Sequence, residues 1–209
     1  MKGDALVGLL DAALERLGAG RDELRDLDAA LGDGDLGITV EKGCDAVRAK
    51  LAELAEPAPA QVIRAAGAAF AGANPSTMAA LVGGGLLAGA KAIADTPDLT
   101  REDAVRLARA IADSITMKGK AELGDKTMLD ALAPSVEVLE NSDGDDSEVL
   151  AAMVEAARRA VDETAPLQSR RGRASWIGER SRGHPDPGAT AYLRLLEALA
   201  EQWGRREVY

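Results

Sequence analysis

The residues with the clearest chemical potential in this chain are three aspartates, Asp28, Asp33 and Asp35, which fall within eight positions. The last two alternate with glycines in the run Gly32–Gly37, where the backbone can turn tightly. Carboxylates held a few ångströms apart repel one another unless a cation lies between them. A hard cation with oxygen ligands, Mg2+ or Ca2+, is the expected partner, whereas a solvated acidic turn is the alternative reading of the same composition.

An EF-hand calcium loop is excluded at this segment. The twelfth position is Cys44 when counted from Asp33 and Thr39 when counted from Asp28, and that loop requires glutamate there. In an extended segment, Asp33 and Asp35 direct their side chains to the same side and can approach Asp28. A Mg2+ ion at such a site usually accompanies phosphate chemistry.

The composition predicts helices to position these residues. Of the 209 residues, 46% are apolar and only 2% aromatic, so the apolar content is mostly Ala, Leu and Val. These residues favour helices over strands, and no useful segment alternates with period two. We expect one domain, residues 1–209, with an all-α antiparallel up-and-down bundle or barrel.

Charge and cysteine content exclude several classes of protein. The net charge of −10 argues against a nucleic-acid-binding surface. A single cysteine, Cys44, excludes an internal disulfide and cysteine-based zinc sites. No apolar run is long enough to span a bilayer, and the N-terminus lacks a signal-peptide pattern, so we expect a cytoplasmic protein without a membrane partner.

Helical periodicity and capping signals predict nine helical segments. They run approximately over residues 6–17, 22–28, 39–54, 61–73, 76–94, 100–115, 126–140, 147–166 and 188–203. The expected N-caps are Ser76 or Asn74 for the fifth segment, Thr100 with Asp103 for the sixth, and Ser147 for the eighth. The connection 170–187 is long, polar and Gly-rich, which is typical of a functional loop.

Two of the connections offer groups that suit a nucleotide. Ser76 and Thr77 open a helix, whose N-terminal amides attract phosphate, although an ordinary N-cap explains them as well. Gly119 and Gly124 permit close backbone approach, and Met128 provides an apolar face on which a base can pack. A plain loop before a helix is the alternative for this second segment.

The loop at residues 170–188 concentrates five arginines in an acidic protein. Arginine forks suit phosphate, although a solvated basic loop is the alternative. Simple packing of Trp176 under this loop is one reading of the sequence. The only histidine, His184, is not accompanied by a nucleophile-elbow motif, and the chain has neither a P-loop nor a Rossmann fingerprint, so a nucleotide site here is of another kind.

Taken together and in this order, the segments resemble the nucleotide-binding L subunit of dihydroxyacetone kinases. The resemblance covers nearly the whole chain. Its most specific pieces are Gly32-Asp33-Gly34-Asp35, Gly119-Lys120-Ala121-Glu122, Gly124-Asp125-Lys126-Thr127-Met128, Gly172-Arg173-Ala174-Ser175, Gly178-Glu179-Arg180-Ser181, Gly183-His184 and Asp186-Pro187-Gly188-Ala189. It implies an eight-helix up-and-down barrel that binds ADP or ATP at one end.

The same resemblance assigns roles to individual residues. Asp28, Asp33 and Asp35 match the metal-binding aspartates that hold two Mg2+ ions against the nucleotide phosphates, and together with Arg173 they are the expected catalytic residues. The expected nucleotide-binding residues are Leu36, Gly37, Ile38 and Thr39 beside the phosphates, Ser76 and Thr77 more loosely, Gly119 and Met128 at the adenine, Arg173, and the covering loop of Asp186, Pro187 and Gly188.

The resemblance also implies a partner. In the family, a separate sugar-binding K subunit, DhaK, holds the ketone covalently, and the L subunit delivers the γ-phosphate to it. This chain is too short to include a K domain, so a DhaK-like partner is expected, and a homodimer is compatible with the sequence. In some members a phosphotransferase-system subunit recharges bound ADP, whereas in others ATP exchanges freely.

Leu36 departs from the family pattern. Many members have His, Thr or Cys at this position, and leucine cannot form a hydrogen bond to phosphate. The phosphate donor and the ketose therefore stay open. Two other hypotheses stay open with them: a regulatory module that binds nucleotide without turnover, and a helical bundle with no ligand.

Overall fold

The structure, a computed structural model, describes residues 1–207, and over that range it contains helices and no strands. The α-helices are α1 Gly3–Ala19, α2 Arg21–Leu31, α3 Leu36–Leu51, α4 Pro59–Ala73, α5 Thr77–Ala92, α6 Arg101–Gly119, α7 Met128–Asn141, α8 Asp146–Thr164 and α9 Pro187–Glu207. A 3-10 helix, Arg173–Ser181, lies between α8 and α9. The predicted all-α fold is confirmed.

Polar side chains begin several helices as the sequence predicted. The Ser76 hydroxyl accepts a hydrogen bond from the Ala79 amide at 3.0 Å, so Ser76 caps α5. The Thr100 hydroxyl accepts one from the Asp103 amide at 3.2 Å, and Asp103 bonds back to the Thr100 amide. These capping groups satisfy amides that would otherwise lack partners in the first turn.

The predicted cap of α8 is wrong. Asp145, rather than Ser147, caps this helix, because its carboxylate accepts a hydrogen bond from the Glu148 amide at 2.8 Å. Asp145 and Glu148 have the spacing of a capping box, so the helix begins two residues earlier than expected. Ser147 lies inside the first turn.

Of the nine α-helices in residues 1–207, eight are 14 to 21 residues long, and these eight form a closed ring. Along the ring α1, α3, α4, α5, α6, α7, α8 and α9, each helix packs against the next, and α9 packs back against α1. The shorter α2, with 11 residues, packs mainly against α3. The eight-helix up-and-down barrel that the resemblance implied is therefore confirmed.

The interior of the ring is apolar and incompletely filled. A cavity of about 540 Å3 runs between the helices and is lined mainly by Leu, Val, Ile, Ala and Met side chains. The chain contains a single phenylalanine, and its small and medium aliphatic side chains leave space in the interior that aromatic side chains would fill. Within residues 1–207, no helix has the length and apolarity needed to cross a membrane.

Alternating helix directions bring four connections to one end of the barrel. These are the connections that precede α3, α5, α7 and α9, and they contain all the segments that the sequence analysis singled out. At the opposite end, the Met1 ammonium donates a hydrogen bond to the Leu99 carbonyl at 2.6 Å. The up-and-down topology is thus what gathers the candidate site.

Candidate functional site

The three aspartates converge at the junction of α2 and α3. Asp28 lies in the last turn of α2, Asp33 lies in the connection, and Asp35 occupies the N-cap position of α3. One carboxylate oxygen from each lies within 4.8 Å of the others. This is the convergence that their spacing predicted, while their role as metal ligands stays a prediction.

Two glycines make this junction possible. Gly34 has φ of 74°, a left-handed conformation that glycine adopts without cost, and it turns the chain between Asp33 and Asp35. Gly37 lies in the first turn of α3, where an added Cβ would lie only 2.2 Å from the Arg21 carbonyl oxygen. The close contact between α2 and α3, which holds the aspartates together, therefore requires a residue without a side chain at position 37.

Leu36 serves the site through its backbone. Its side chain is only 8% exposed and belongs to the hydrophobic core, whereas its amide donates a hydrogen bond to Asp28 Oδ2 at 3.1 Å. The leucine side chain has no polar atom with which to bind a phosphate. The backbone amide instead orients Asp28 toward the other two carboxylates.

Arg173, which belongs to a distant part of the chain, contacts two of the aspartates. Its Nη2 atom donates to both carboxylate oxygens of Asp35, at 3.1 and 2.9 Å, and its Nη1 atom donates to Asp33. Burial, and to a lesser degree the negative charge of Asp28, raises the pKa of Asp35. Asp35 thus experiences the negative charge of Asp28, while Arg173 brings a positive charge to the same carboxylate.

The donor set fits a divalent cation. Three carboxylates and one guanidinium leave two negative charges when all four side chains are ionised, and the available ligand atoms are all oxygens. Mg2+ prefers such ligands and keeps several waters, which suits a cluster on the exposed side of the barrel end. Asp33, at 55% side-chain exposure, leaves room for those waters and for a ligand.

The second predicted segment is joined to the first by one hydrogen bond. The Asn74 side-chain amide donates to the hydroxyl of buried Thr39 at 2.9 Å, which ties the α4–α5 connection to α3. Ser76 caps α5, and Thr77 is exposed at the first position of that helix. The N-termini of α3 and α5 therefore lie at the same barrel end, where their amides favour an anion.

Of the two residues expected near the adenine, Met128 lies beside the covering loop and Gly119 lies beside Leu81. Met128 is the first residue of α7, and a Cβ added to Gly188 would lie 3.6 Å from the Met128 Cβ. Pro187 is buried and begins α9, and the Ala189 amide donates to the Asp186 carboxylate at 2.8 Å. Gly119 ends α6, and the side chain nearest to it belongs to Leu81.

Asp186 is a buried carboxyl group beside the α9 N-terminus. Burial is the largest cause that raises its pKa to about 7, and the negative charge of Asp130 adds to this effect. The amides of Ala189 and Gly188 and the charge of Lys126 act in the opposite direction. Asp186 is thus a structural acid of the covering loop rather than a solvated anion.

The arginine loop, residues 170–182, differs from the sequence prediction in two ways. It contains the 3-10 helix Arg173–Ser181, with a kink at Gly178, where φ is 58°. Trp176 does not pack under the loop, because its side chain is 82% exposed. Polar contacts with the α6–α7 connection hold the loop instead of packing by the Trp176 side chain.

Sequence reasoning gave no role to Lys126 or Asp125 and considered Asn74 only as a helix cap, although all three contribute contacts at this end of the barrel. Asp125 and Lys126 belong to a motif that carried the family resemblance, which was the available signal for their importance. Their partners are 39 to 55 residues away in the chain, and neither periodicity nor spacing identifies contacts at that range.

Most of the chain is similar to a known family and to curated proteins. A family model described as the DAK2 domain matches residues 30–201. The chain is 37% identical over 188 residues to the PEP-dependent dihydroxyacetone kinase 2 ADP-binding subunit DhaL of Listeria innocua, covering 87% of this chain and 86% of that protein. It is 35% identical over 180 residues to the PEP-dependent dihydroxyacetone kinase ADP-binding subunit DhaL of Escherichia coli K12, covering 85% and 86% of the two chains.

Longer proteins match as well. The L-erythrulose 1-kinase of Mycolicibacterium smegmatis is 36% identical over 186 residues, which span 88% of this chain and 33% of that protein. Among solved structures, the dihydroxyacetone kinase from C. freundii in complex with AMP-PNP and Mg2+ matches with a TM-score of 0.76 at 23% identity, covering 96% of this chain and 34% of that one. At this identity the structural likeness concerns the fold alone.

Proposed function

Because this chain belongs to the DAK2 domain family, we propose that it is the nucleotide-binding subunit of a small-ketose kinase, which transfers a terminal phosphoryl group to a sugar held by a separate subunit. The observation that carries the proposal is the cluster of Asp28, Asp33 and Asp35, with their ligand oxygens within 4.8 Å of one another and Arg173 across them. The names of the relatives support dihydroxyacetone or erythrulose as the sugar class.

The chemistry of phosphoryl transfer agrees with these residues. Such a reaction depends on neutralised phosphate charge and in-line positioning, with little covalent participation by the protein. Two Mg2+ ions, when bound, would supply most of that neutralisation. Asp33 and Asp35 would hold them, Asp28 would complete the set in the orientation that the Leu36 amide imposes, and Arg173 would turn its guanidinium toward the phosphates.

The remaining predicted residues would bind and orient the nucleotide. The amides at the N-termini of α3 and α5, next to Thr39 and Ser76, suit phosphate oxygens. The apolar surface of Met128 against Gly188 would receive the base, and the loop of Asp186 and Pro187 would cover it.

A decisive experiment combines the chain with a sugar-binding subunit of the DhaK type, Mg2+, either dihydroxyacetone or erythrulose, and each phosphate donor in turn, ATP or a phosphorylated phosphotransferase-system subunit. We expect sugar phosphate to form with the native chain and not with Asp33→Ala. The matched control is Asp143→Ala, an exposed aspartate in the α7–α8 connection at the opposite end of the barrel, which should keep full activity. Full activity of Asp33→Ala would contradict the proposed mechanism.

The phosphate donor requires its own test, because relatives of both kinds match with similar identity. Two of them are named PEP-dependent ADP-binding subunits, and another is named a kinase without that qualifier. We propose recharging of bound ADP by a phosphotransferase-system subunit as the first alternative to examine. Extensive desalting should then leave ADP bound, and product should form with the phosphorylated donor protein but not with ATP alone. Free exchange of ATP with full turnover would contradict it.

A second candidate is a regulatory module that binds nucleotide without turnover. It is favoured by Leu36, whose buried side chain offers no polar group where many family members have one. In this case Mg-ADP would bind and raise the melting temperature, while no sugar phosphate would form with any K-type subunit or donor. Measurable sugar phosphate would exclude this candidate, and the absence of any thermal shift when millimolar Mg-ADP is added to the nucleotide-free chain would exclude both.

A further inference from the structure

Lys126 is a fully buried lysine that the proposed chemistry does not use. Its side chain has 0% exposure, and it lies in the α6–α7 connection immediately before the Thr127 cap. The ammonium group donates to three backbone carbonyl oxygens: Ala165 at 2.8 Å, Leu167 at 2.9 Å and Ser181 at 2.6 Å. All three donors of the ammonium are therefore used, and every acceptor belongs to the segment that connects α8 to α9.

Placing a lysine here is unfavourable in two respects. Burial lowers the pKa of the Lys126 amine, partly offset by the negative charge of Asp186. The backbone of Lys126 also has φ of 62°, a left-handed conformation that residues with a side chain rarely adopt. A residue whose backbone conformation and burial are both energetically unfavourable is retained where the surrounding contacts require it. We therefore expect Lys126 to have a specific role.

The preceding residue, Asp125, holds the same segment from the other side. Its carbonyl oxygen accepts from the Arg170 amide at 2.9 Å, and its carboxylate accepts from Arg171 Nε at 3.0 Å. Two further bonds brace the segment internally, from the Ser169 amide to the Ser181 hydroxyl at 2.9 Å and from the Gly183 amide to the Ala165 carbonyl at 2.8 Å. Asp125 and Lys126 thus clasp the start and the end of the arginine loop.

Apolar packing contributes little to holding the loop. From Arg170 to Arg180 every residue is exposed or half-buried, and only Ser181 among the residues of the 3-10 helix is buried. A loop without an apolar anchor keeps one conformation only if hydrogen bonds define it. Arg173 is the fourth residue of that loop, so the direction of its guanidinium depends on the clasp.

We propose that Lys126, assisted by Asp125, is a positioning residue that fixes the arginine loop so that Arg173 is presented to the aspartate cluster and to the nucleotide phosphates. Because Lys126 directly precedes Thr127 and Met128, the clasp also links the base side of the site to the phosphate side. The expected effect on nucleotide binding rests on the proposed function. The expected effect on the conformation of the arginine loop does not depend on any ligand.

The conformational part is tested by trypsin, since the loop contains five arginines at positions 170, 171, 173, 180 and 182. Lys126→Met should be cleaved in this loop at least about tenfold faster than the native chain, because cleavage follows local opening. The control is Asp103→Ala, which removes a buried, hydrogen-bonded carboxylate from the α5–α6 end of the barrel and should lower the melting temperature without faster cleavage in the loop. Unchanged loop cleavage in Lys126→Met would overturn the proposal.

The functional part is tested by a double-mutant cycle on Mg-ADP affinity, measured by calorimetry. Lys126→Met and Arg173→Ala should each weaken binding about tenfold, and the double variant should be no weaker than Arg173→Ala alone, because coupled residues are non-additive. Additive losses would show that Lys126 does not act through Arg173. If the native chain binds no Mg-ADP, the nucleotide function fails while the trypsin result still decides whether the clasp exists.

Arg171→Ala provides a second variant in case Lys126→Met does not fold. Its side chain is exposed, so its removal leaves the core intact while it breaks the bond to the Asp125 carboxylate. We expect cleavage in the loop to rise about threefold, an effect smaller than that of Lys126→Met because the ammonium contacts remain. If trypsin cleaves Arg171→Ala at the remaining loop arginines as slowly as it cleaves the native chain, Asp125 does not have the role proposed for it.

Discussion

Arg173 donates two hydrogen bonds from one nitrogen to the carboxylate of Asp35, a residue 138 positions earlier in the chain. The guanidinium therefore supplies positive charge at the carboxylates where, under the proposed function, a divalent cation would bind. Under the proposed function, Arg173 and a metal ion would use the same carboxylates, so removing Arg173 should affect the binding of the cation and the binding of the nucleotide differently.

Arg173→Ala should separate these two effects. Its removal leaves three carboxylates without a cationic side chain, so Mg2+ alone should bind at least as tightly as in the native chain. Mg-ADP should bind about tenfold more weakly, because a charged hydrogen-bond donor to phosphate is lost. Calorimetry with Mg2+ and with Mg-ADP measures both, and exposed Arg180→Ala is the control. Weaker binding of Mg2+ alone would contradict the shared-carboxylate arrangement.

Gly37→Ala should destabilise the protein by about 1–3 kcal/mol, because the added methyl group overlaps the Arg21 carbonyl and forces α2 away from α3. The aspartate cluster spans that contact, so Mg-ADP should also stabilise this variant less. Gly72→Ala is a matched control, since a Cβ there meets nothing within 4 Å and alanine should be neutral or stabilising by up to about 1 kcal/mol. Urea unfolding with and without Mg-ADP measures both effects, and equal stability of the two variants would contradict the packing argument.

Asp186 should make the stability of the protein depend on pH. Because its pKa in the folded chain is about 7, against 3.8 for an ordinary aspartate, the folded state retains a proton that the unfolded state releases. The contribution of this group is therefore fully present below about pH 4 and is lost as pH rises to about 7.

Asp186→Asn should remove this dependence while keeping an acceptor for the Ala189 amide. Relative to the native chain, the variant should gain stability as pH increases from 5 to about 8, measured by urea unfolding at each pH. The exposed variant Asp143→Asn should follow the native profile. A constant stability difference between Asp186→Asn and the native chain over this range would show that Asp186 does not titrate there.

Trp176 should contact the partner that brings the acceptor sugar. Its exposed ring lies three residues from Arg173, and large aromatic side chains often dominate protein interfaces. Trp176→Ala should raise the concentration of sugar-binding subunit needed for half-maximal activity by about tenfold or more, without changing Mg-ADP affinity. Leu87→Ala, exposed on the side of the barrel in α5, is the control. An unchanged titration curve would exclude Trp176 from the interface.

Much of the secondary structure could be predicted from the sequence, because it depends on local interactions. Helices follow from apolar spacing and from caps such as Ser76 and Thr100, since both depend on residues within one or two turns. Where two polar residues competed for the same role, as Asp145 and Ser147 did before α8, local reasoning chose the wrong one. Packing of Trp176 under the loop was one reading of the sequence, and the structure excludes it, because Lys126 is buried there and Trp176 is exposed.

By itself, the sequence determined the helical class and the aspartate triplet, because Asp28, Asp33 and Asp35 lie within eight positions and their meeting requires only one turn. The tertiary structure alone decided that Arg173 reaches Asp35 and that Lys126 is buried beneath the arginine loop. Those contacts exist because the ring closes and brings alternate connections to one end. Closure depends on the packing of all eight long helices, which no short stretch of the chain encodes.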